Sequence, residues 1–185
     1  MRARWRSCVM ALLVPLLLLP RAASTEVSSL PTGAFSVMRS VTVPGTPATI
    51  YDAMTGDISP WWDHTFSNEP SRFHIDARPG GAFIELFGSE TDGVVHATVI
   101  YADRGKMLRF RGPLGLQGNA VDLVTTWTYE AKGDSTHITC VCRASGQMED
   151  GWPAAIDGLW EHFLEKRFKP YIEGRLEPGA GHDEG

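Results

Sequence analysis

Cysteine is scarce in this 185-residue chain: of three, only Cys140 and Cys142 lie beyond the N-terminal 24 residues. Their spacing is neither that of a zinc site nor that of a redox pair. On a strand they would share a face but lie end to end, a poor geometry for a disulfide. They read as buried thiols used as small apolar side chains. Basic side chains are also few and never form a run, which disfavours nucleic acid and anionic lipid surfaces as partners. No apolar run reaches the roughly 20 residues that a membrane-spanning helix needs. A phosphate-binding glycine loop and a nucleophile elbow are both missing. No His, Cys and carboxylate set shows metal-ligand spacing, so neither a metal site nor a cofactor is expected.

What is present begins with a leader. Met1-Arg2-Ala3-Arg4-Trp5-Arg6 is basic and runs into an apolar stretch from Cys8 to Leu19. That order is the secretory signal pattern, and Ala22 and Ser24 suit a cut after Ser24. The expectation is a signal peptide over 1–24 and a secreted or periplasmic product without stable membrane insertion. The alternative is an uncleaved anchor, which Pro15 and Pro20 disfavour by breaking the helix. Cleavage would leave 161 residues with 13 basic against 22 acidic side chains, a net charge of −9. That is the size of one domain with a sizeable core. Two free thiols in an oxidising compartment would be a mild surprise.

Residues 25–34 are small and polar, a flexible lead-in. Val37, Val41 and Val43 recur with period two and predict a first strand over Phe35–Val43. Thr46 is a fitting N-cap and Pro47 a fitting first helical residue, so a helix is expected over Pro47–Thr55. A second short helix is expected over Ile58–Trp62. From Phe73 to Ser145 the texture is of about six strands divided by Gly, Asp and Pro turns, an antiparallel meander with one buried face. Ile156, Leu159, Trp160, Phe163, Leu164 and Phe168 then recur at helical spacing, and Pro153 opens that helix. Pro170 is expected to kink or shorten its last turns. The tail over 174–185 is rich in Gly and charge and reads as disordered. The class is therefore α+β, a curved antiparallel sheet of about seven strands around a long C-terminal helix.

Three stretches carry a family resemblance. The first strand with Pro47-Ala48-Thr49-Ile50-Tyr51-Asp52-Ala53-Met54 resembles the opening strand and helix of the START-like superfamily, also called SRPBCC or helix-grip proteins. Trp61-Trp62 with Arg78-Pro79-Gly80-Gly81-Ala82-Phe83 is similar to its branch of chaperone-ATPase-activator-like and polyketide cyclase/dehydrase-like domains. Gly151-Trp152 ahead of Leu159, Trp160 and Phe163 matches the same branch. The likeness implies a START-like domain over 35–173 with a cavity between sheet and helix for a small apolar ligand such as a lipid or polyketide. It also admits a cyclase or dehydratase acting in that cavity, or a protein-interaction module. Oligomeric state is not readable from the chain.

Candidate walls for the cavity are Phe87, Phe110, Trp127, Tyr129, Trp160 and Phe163; the alternative for each is plain core packing. Candidate acid or base residues are His96 and Glu85. Around His96 both strand faces are apolar, so its direction is open. Glu85 shares a face with Phe83 and Phe87 and is either a desolvated cavity carboxylate or an edge residue in solvent. His74 alternates with Phe73 and Ile75 and is placed outside. Trp61-Trp62-Asp63-His64 is either a His–carboxylate pair near a cavity mouth or a helix end with Asp63 and His64 in solvent. The segment from Gly112 to Asn119, with Leu114 and Leu116, is either a lid or a hairpin loop capping the core.

Overall fold

The computed structural model describes residues 28–68, 70–89 and 91–176. The expected signal segment and most of the expected tail lie outside the described residues. Eight antiparallel strands form one sheet: β1 (Thr32–Pro44), β2 (Gly56–Asp57), β3 (Arg72–Ile75), β4 (Ala82–Leu86), β5 (Gly93–Asp103), β6 (Met107–Arg111), β7 (Val121–Lys132) and β8 (Ser135–Gln147). Their spatial order is β1-β8-β7-β6-β5-β4-β3-β2. Strands β2 to β8 are a meander, and only β1 pairs out of sequence, closing on β8 along all its length. The strand beyond the expected seven is the two-residue β2.

Helix α1 (Pro47–Ala53) starts as its sequence demands. The Thr46 hydroxyl accepts the Thr49 N–H at 3.3 Å, and Pro47 stands in the first turn. The expected second helix is a single turn instead. The N–H groups of Trp61 and Trp62 both donate to the Ile58 carbonyl, and the chain then opens into a loop. Trp61 and Trp62 are both buried, and their indole N–H groups donate to the Ala53 and His64 carbonyls, which ties the turn to α1 and to the loop that follows.

The C-terminal helix is continuous but not uniform. It runs as α2 (Trp152–Glu161), a π-helical stretch over His162–Phe168, and α3 (Lys169–Ile172). In the π stretch the Lys169 N–H reaches back five residues to the Leu164 carbonyl. The wider winding puts Phe163, Arg167 and Phe168, spaced by four and five, on the buried side together. It ends beside Pro170, whose ring fits poorly against an α-helical carbonyl four residues back. The predicted irregularity at Pro170 is thus displaced toward the N-terminus and takes the form of expanded turns.

This helix lies against the inner sheet face, the arrangement of a helix-grip fold. Arg39 of β1 anchors it, donating from Nε and Nη2 to the two Asp157 oxygens at 2.7 and 2.5 Å. Val41, Phe83, Val99, Leu108, Leu123 and Ile138 supply the sheet side of the core, all nearly inaccessible. Cys140 and Cys142 are buried free thiols on that face, and burial raises both above the ordinary thiol range. Among the described residues no helix is long and apolar enough to cross a membrane.

Two irregularities in β5 set the site. Phe83 pairs with Ala97 but Ile84 pairs with Val95, so His96 is an extra residue opposite β4. A bulge of this kind re-aims a side chain. His96 and Ala97, though adjacent, are both buried on the inner side. The second irregularity skips Ile100, because Val99 pairs with Phe110 and Tyr101 with Arg109. There two neighbours, Ile100 and Tyr101, both face out. Gly112 lies directly on the first bulge. A Cβ there would sit 2.5 Å from the His96 carbonyl oxygen and 2.6 Å from Ala97 Cα, so only glycine allows the approach.

Candidate functional site

At this end of the sheet the helix and sheet part, leaving a cavity of about 440 Å³. The loop after β2 forms one wall with Trp62, His64, Thr65 and Phe66, and the sheet contributes Phe83 and His96. Leu114, Gly115 and Leu116 of a short 3-10 turn close another side. Opposite them stand Ile156, Leu159, Trp160 and Phe163 of the C-terminal helix. Size and apolar character are those of small-molecule sites. Leu114 has φ of 51°, the one positive value among the described residues other than glycine. Backbone strain of that kind persists only where surroundings enforce it, and here the leucine side chain is buried against the cavity.

The polar end of the cavity is built on Glu85. This carboxylate is fully buried, 0% exposed, yet both its oxygens are hydrogen-bonded. Phe66 N–H donates to Oε2 at 2.9 Å and Ser67 N–H to Oε1 at 2.7 Å. His96 Nε2 lies 3.2 Å from Oε2. Backbone N–H groups only donate, so a carboxylate accepting from them calls for the His96 tautomer with its proton on Nε2. Nδ1 then faces two groups at 3.4 Å, the Gln117 amide nitrogen and the Leu114 carbonyl oxygen, and as a lone pair it can accept only from the amide. Burial pushes His96 below the ordinary imidazole range, against the opposing pull of Glu85 and the Leu114 carbonyl. His96 is therefore a neutral imidazole in the cavity wall, oriented from behind by a carboxylate.

A second group sits at the rim. Asp63 Oδ1 is 2.9 Å from His64 Nδ1, and both Asp63 oxygens are 2.9 Å from His162 Nε2. Arg167 Nε lies 3.1 Å from Asp63 Oδ2 and donates to the Trp61 carbonyl at 3.2 Å. Burial alone would raise Asp63, but the hydrogen bonds from His64 and His162 and the charges of His162 and Arg167 outweigh it and hold it at about 2.

The structure sorts the residues singled out from sequence. Trp160 and Phe163 face the cavity. Phe110 and Trp127 lie behind the lining in the packed core, Phe110 edge-on to Phe83 at 6.1 Å and Trp127 edge-on to Trp160 at 6.1 Å. Tyr129 is further off, edge-on to Tyr51 at 5.4 Å, with its phenol pushed up by burial. Phe87 is a correction. It is 41% exposed, because β4 ends at Leu86 and the Phe87 N–H turns to the Asp92 carbonyl to close the hairpin. Glu85 and His96, left open by alternation, come together inside. The expectation of no metal-ligand set rested on spacing along the chain, and His162 stands 99 positions from Asp63. Leu114 and Leu116, open between lid and cap, line the cavity; Trp62, Ile156 and Leu159 were missed as lining residues, although the apolar stripe of the helix carried the signal for the last two.

No protein-family model matches the chain, and no curated protein sequence matches it. Solved structures do match in shape. An uncharacterised protein from Rhizobium leguminosarum superposes with a TM-score of 0.60 at 13% identity, over 80% of this chain and 99% of that one. The Aha1 dimer from Colwellia psychrerythraea gives 0.53 at 16% identity, over 77% and 99%. The shared architecture is that of the helix grip, one antiparallel sheet against a C-terminal helix. CalU16 from Micromonospora echinospora matches likewise, with a TM-score of 0.52 at 15% identity over 82% of this chain and 88% of that one. At such identities the likeness describes architecture alone.

Proposed function

We propose that this protein binds a small, mainly apolar molecule carrying one hydrogen-bonding group in the cavity between sheet and helix. The observation that carries this reading is an apolar cavity of about 440 Å³ with a single buried polar pole, the Glu85-oriented His96. His96 Nδ1 has only long contacts of 3.4 Å, to the Gln117 amide and the Leu114 carbonyl, which favours a ligand with one hydrogen-bonding group that replaces them. Trp160 and Phe163 would flank its apolar body. The basic segment and apolar run before Ser24 support export of the protein, with the ligand met outside the cytoplasm. Cell fractionation with and without residues 1–24 tests that part.

Binding itself is tested by native mass spectrometry of protein purified without added ligand, followed by denaturing extraction. The expected result is a small apolar molecule that co-purifies and is released on unfolding. Leu159→Trp, which fills the cavity from the helix side, abolishes it. Wild-type protein that carries nothing, and takes up no fatty acid or aromatic polyketide probe that Leu159→Trp excludes, would overturn the reading.

The same His96 favours a second reading, a cyclase- or dehydratase-type enzyme. A histidine backed by a carboxylate and facing an apolar cavity has the parts of a general base. In that case His96→Gln keeps ligand binding within a few-fold and removes turnover. A pure binding protein shows the reverse, weaker binding and no turnover to lose.

A further inference from the structure

We propose that Asp63, His64 and His162 bind a first-row divalent transition metal ion, of which zinc is the reference case, at the rim of the cavity. One donor atom from each residue lies within 4.8 Å of the other two. Two imidazoles and a carboxylate, with no thiolate, suit zinc, cobalt or nickel; calcium and magnesium prefer all-oxygen sets. Three protein donors are the number found where a zinc ion keeps a position open for water or for a ligand oxygen.

The frame around the donors is built rather than incidental. The Asp63 side chain is 12% exposed and is held by Arg167, which is itself tied to the Trp61 carbonyl. The His64 carbonyl accepts the Trp62 indole N–H at 3.0 Å, fixing the loop residue that must meet the helix. Both imidazoles rest edge-on against Phe163, at 5.1 Å for His64 and 5.6 Å for His162. Supporting contacts of this kind orient metal ligands. His64 is 55% exposed, so an ion reaches the donors from solvent. The histidine–aspartate hydrogen bonds give way on binding, and each imidazole coordinates through a nitrogen that has released its proton. Arg167 stays on Asp63 Oδ2, leaving Oδ1 for the ion. Because His64 also lines the cavity, an ion held here would stand beside whatever fills it.

The test uses the tag-free full chain, stripped with a chelator and dialysed. Zinc titration by calorimetry and cobalt titration by visible absorption are expected to give one equivalent each, with zinc displacing cobalt. His162→Gln and Asp63→Asn each weaken zinc binding at least tenfold. His64→Gln, at the most exposed of the three positions, does the same while leaving the melting temperature within a few degrees, so a folding defect cannot account for the loss. His137→Gln, on the outer side of β8, binds as wild type. Absence of stoichiometric binding overturns the proposal, and so does wild-type affinity in the His64→Gln and His162→Gln variants.

Discussion

Two histidine–carboxylate groups of similar chemistry serve this molecule in opposite ways. Glu85 and His96 lie inside, 0% and 4% exposed, and the carboxylate there is consumed by two backbone N–H groups and one imidazole. Asp63 with His64 and His162 lies at the rim, half open to solvent, with side-chain hydrogen bonds that an ion or water can replace. The inner pair holds a loop onto the sheet and orients one ring. The outer group holds little backbone and keeps its donors accessible. Location, not residue type, separates a structural pair from an exchangeable one.

The comparison is broken most forcefully at Glu85. Glu85→Ala leaves the Phe66 and Ser67 N–H groups and His96 unpaired and is expected to cost about 3 kcal/mol in urea unfolding. A loss under 1 kcal/mol would show that the loop does not depend on the inner pair. Next comes Gly112→Ala, which pushes a methyl into the His96 bulge and is expected to cost about 2 kcal/mol and to weaken ligand uptake. Unchanged stability there would mean the bulge yields freely.

Acid titration sharpens the contrast in chelator-treated protein. Asp63 is held at about 2, below the 3.8 of an unperturbed carboxyl. The unfolded chain therefore takes up its proton first, and the stability Asp63 contributes is intact above about pH 4 and lost as pH falls toward 2. With partly exposed partners that contribution is about 1–2 kcal/mol, and Asp63→Asn should flatten the limb. His96 acts in a different window. Its folded pKa lies below 6.5, so the unfolded state binds the extra proton and stability starts to fall as pH drops below about 6.5. His96→Phe should remove this smaller upper limb and leave the lower one, read from unfolding midpoints across the range.

How much of this was legible beforehand follows from which forces are local. The Thr46 cap, the outward His74 and the buried faces of β6 and β7 are consequences of neighbours two to four residues away, and periodicity reports them. So is the helix stripe that supplies Trp160 and Phe163. The direction of His96 was not legible, since its bulge is a mismatch with β4 and leaves no mark in alternation along β5. Glu85 was open for the same reason, its partner being set across strands. Phe87 misled because phase alone continues the strand past Leu86, whereas the turn to Asp92 ends it. Asp63 and His64 were visible as an adjacent pair, but sequence distance hid their partner His162, and the π stretch was hidden by the resemblance of its pattern to an ordinary amphipathic helix.

The paired irregularities of β5 have a consequence for the rest of the sheet. The first reverses which parity of residue faces inward, from Val94 and His96 to Ala97 and Val99, and the second reverses it back before Ala102. Together they act like two frameshifts that cancel. Only the enclosed residues, Ala97–Val99, sit on the switched parity, so the strand delivers His96 to the cavity without turning the rest of the sheet inside out.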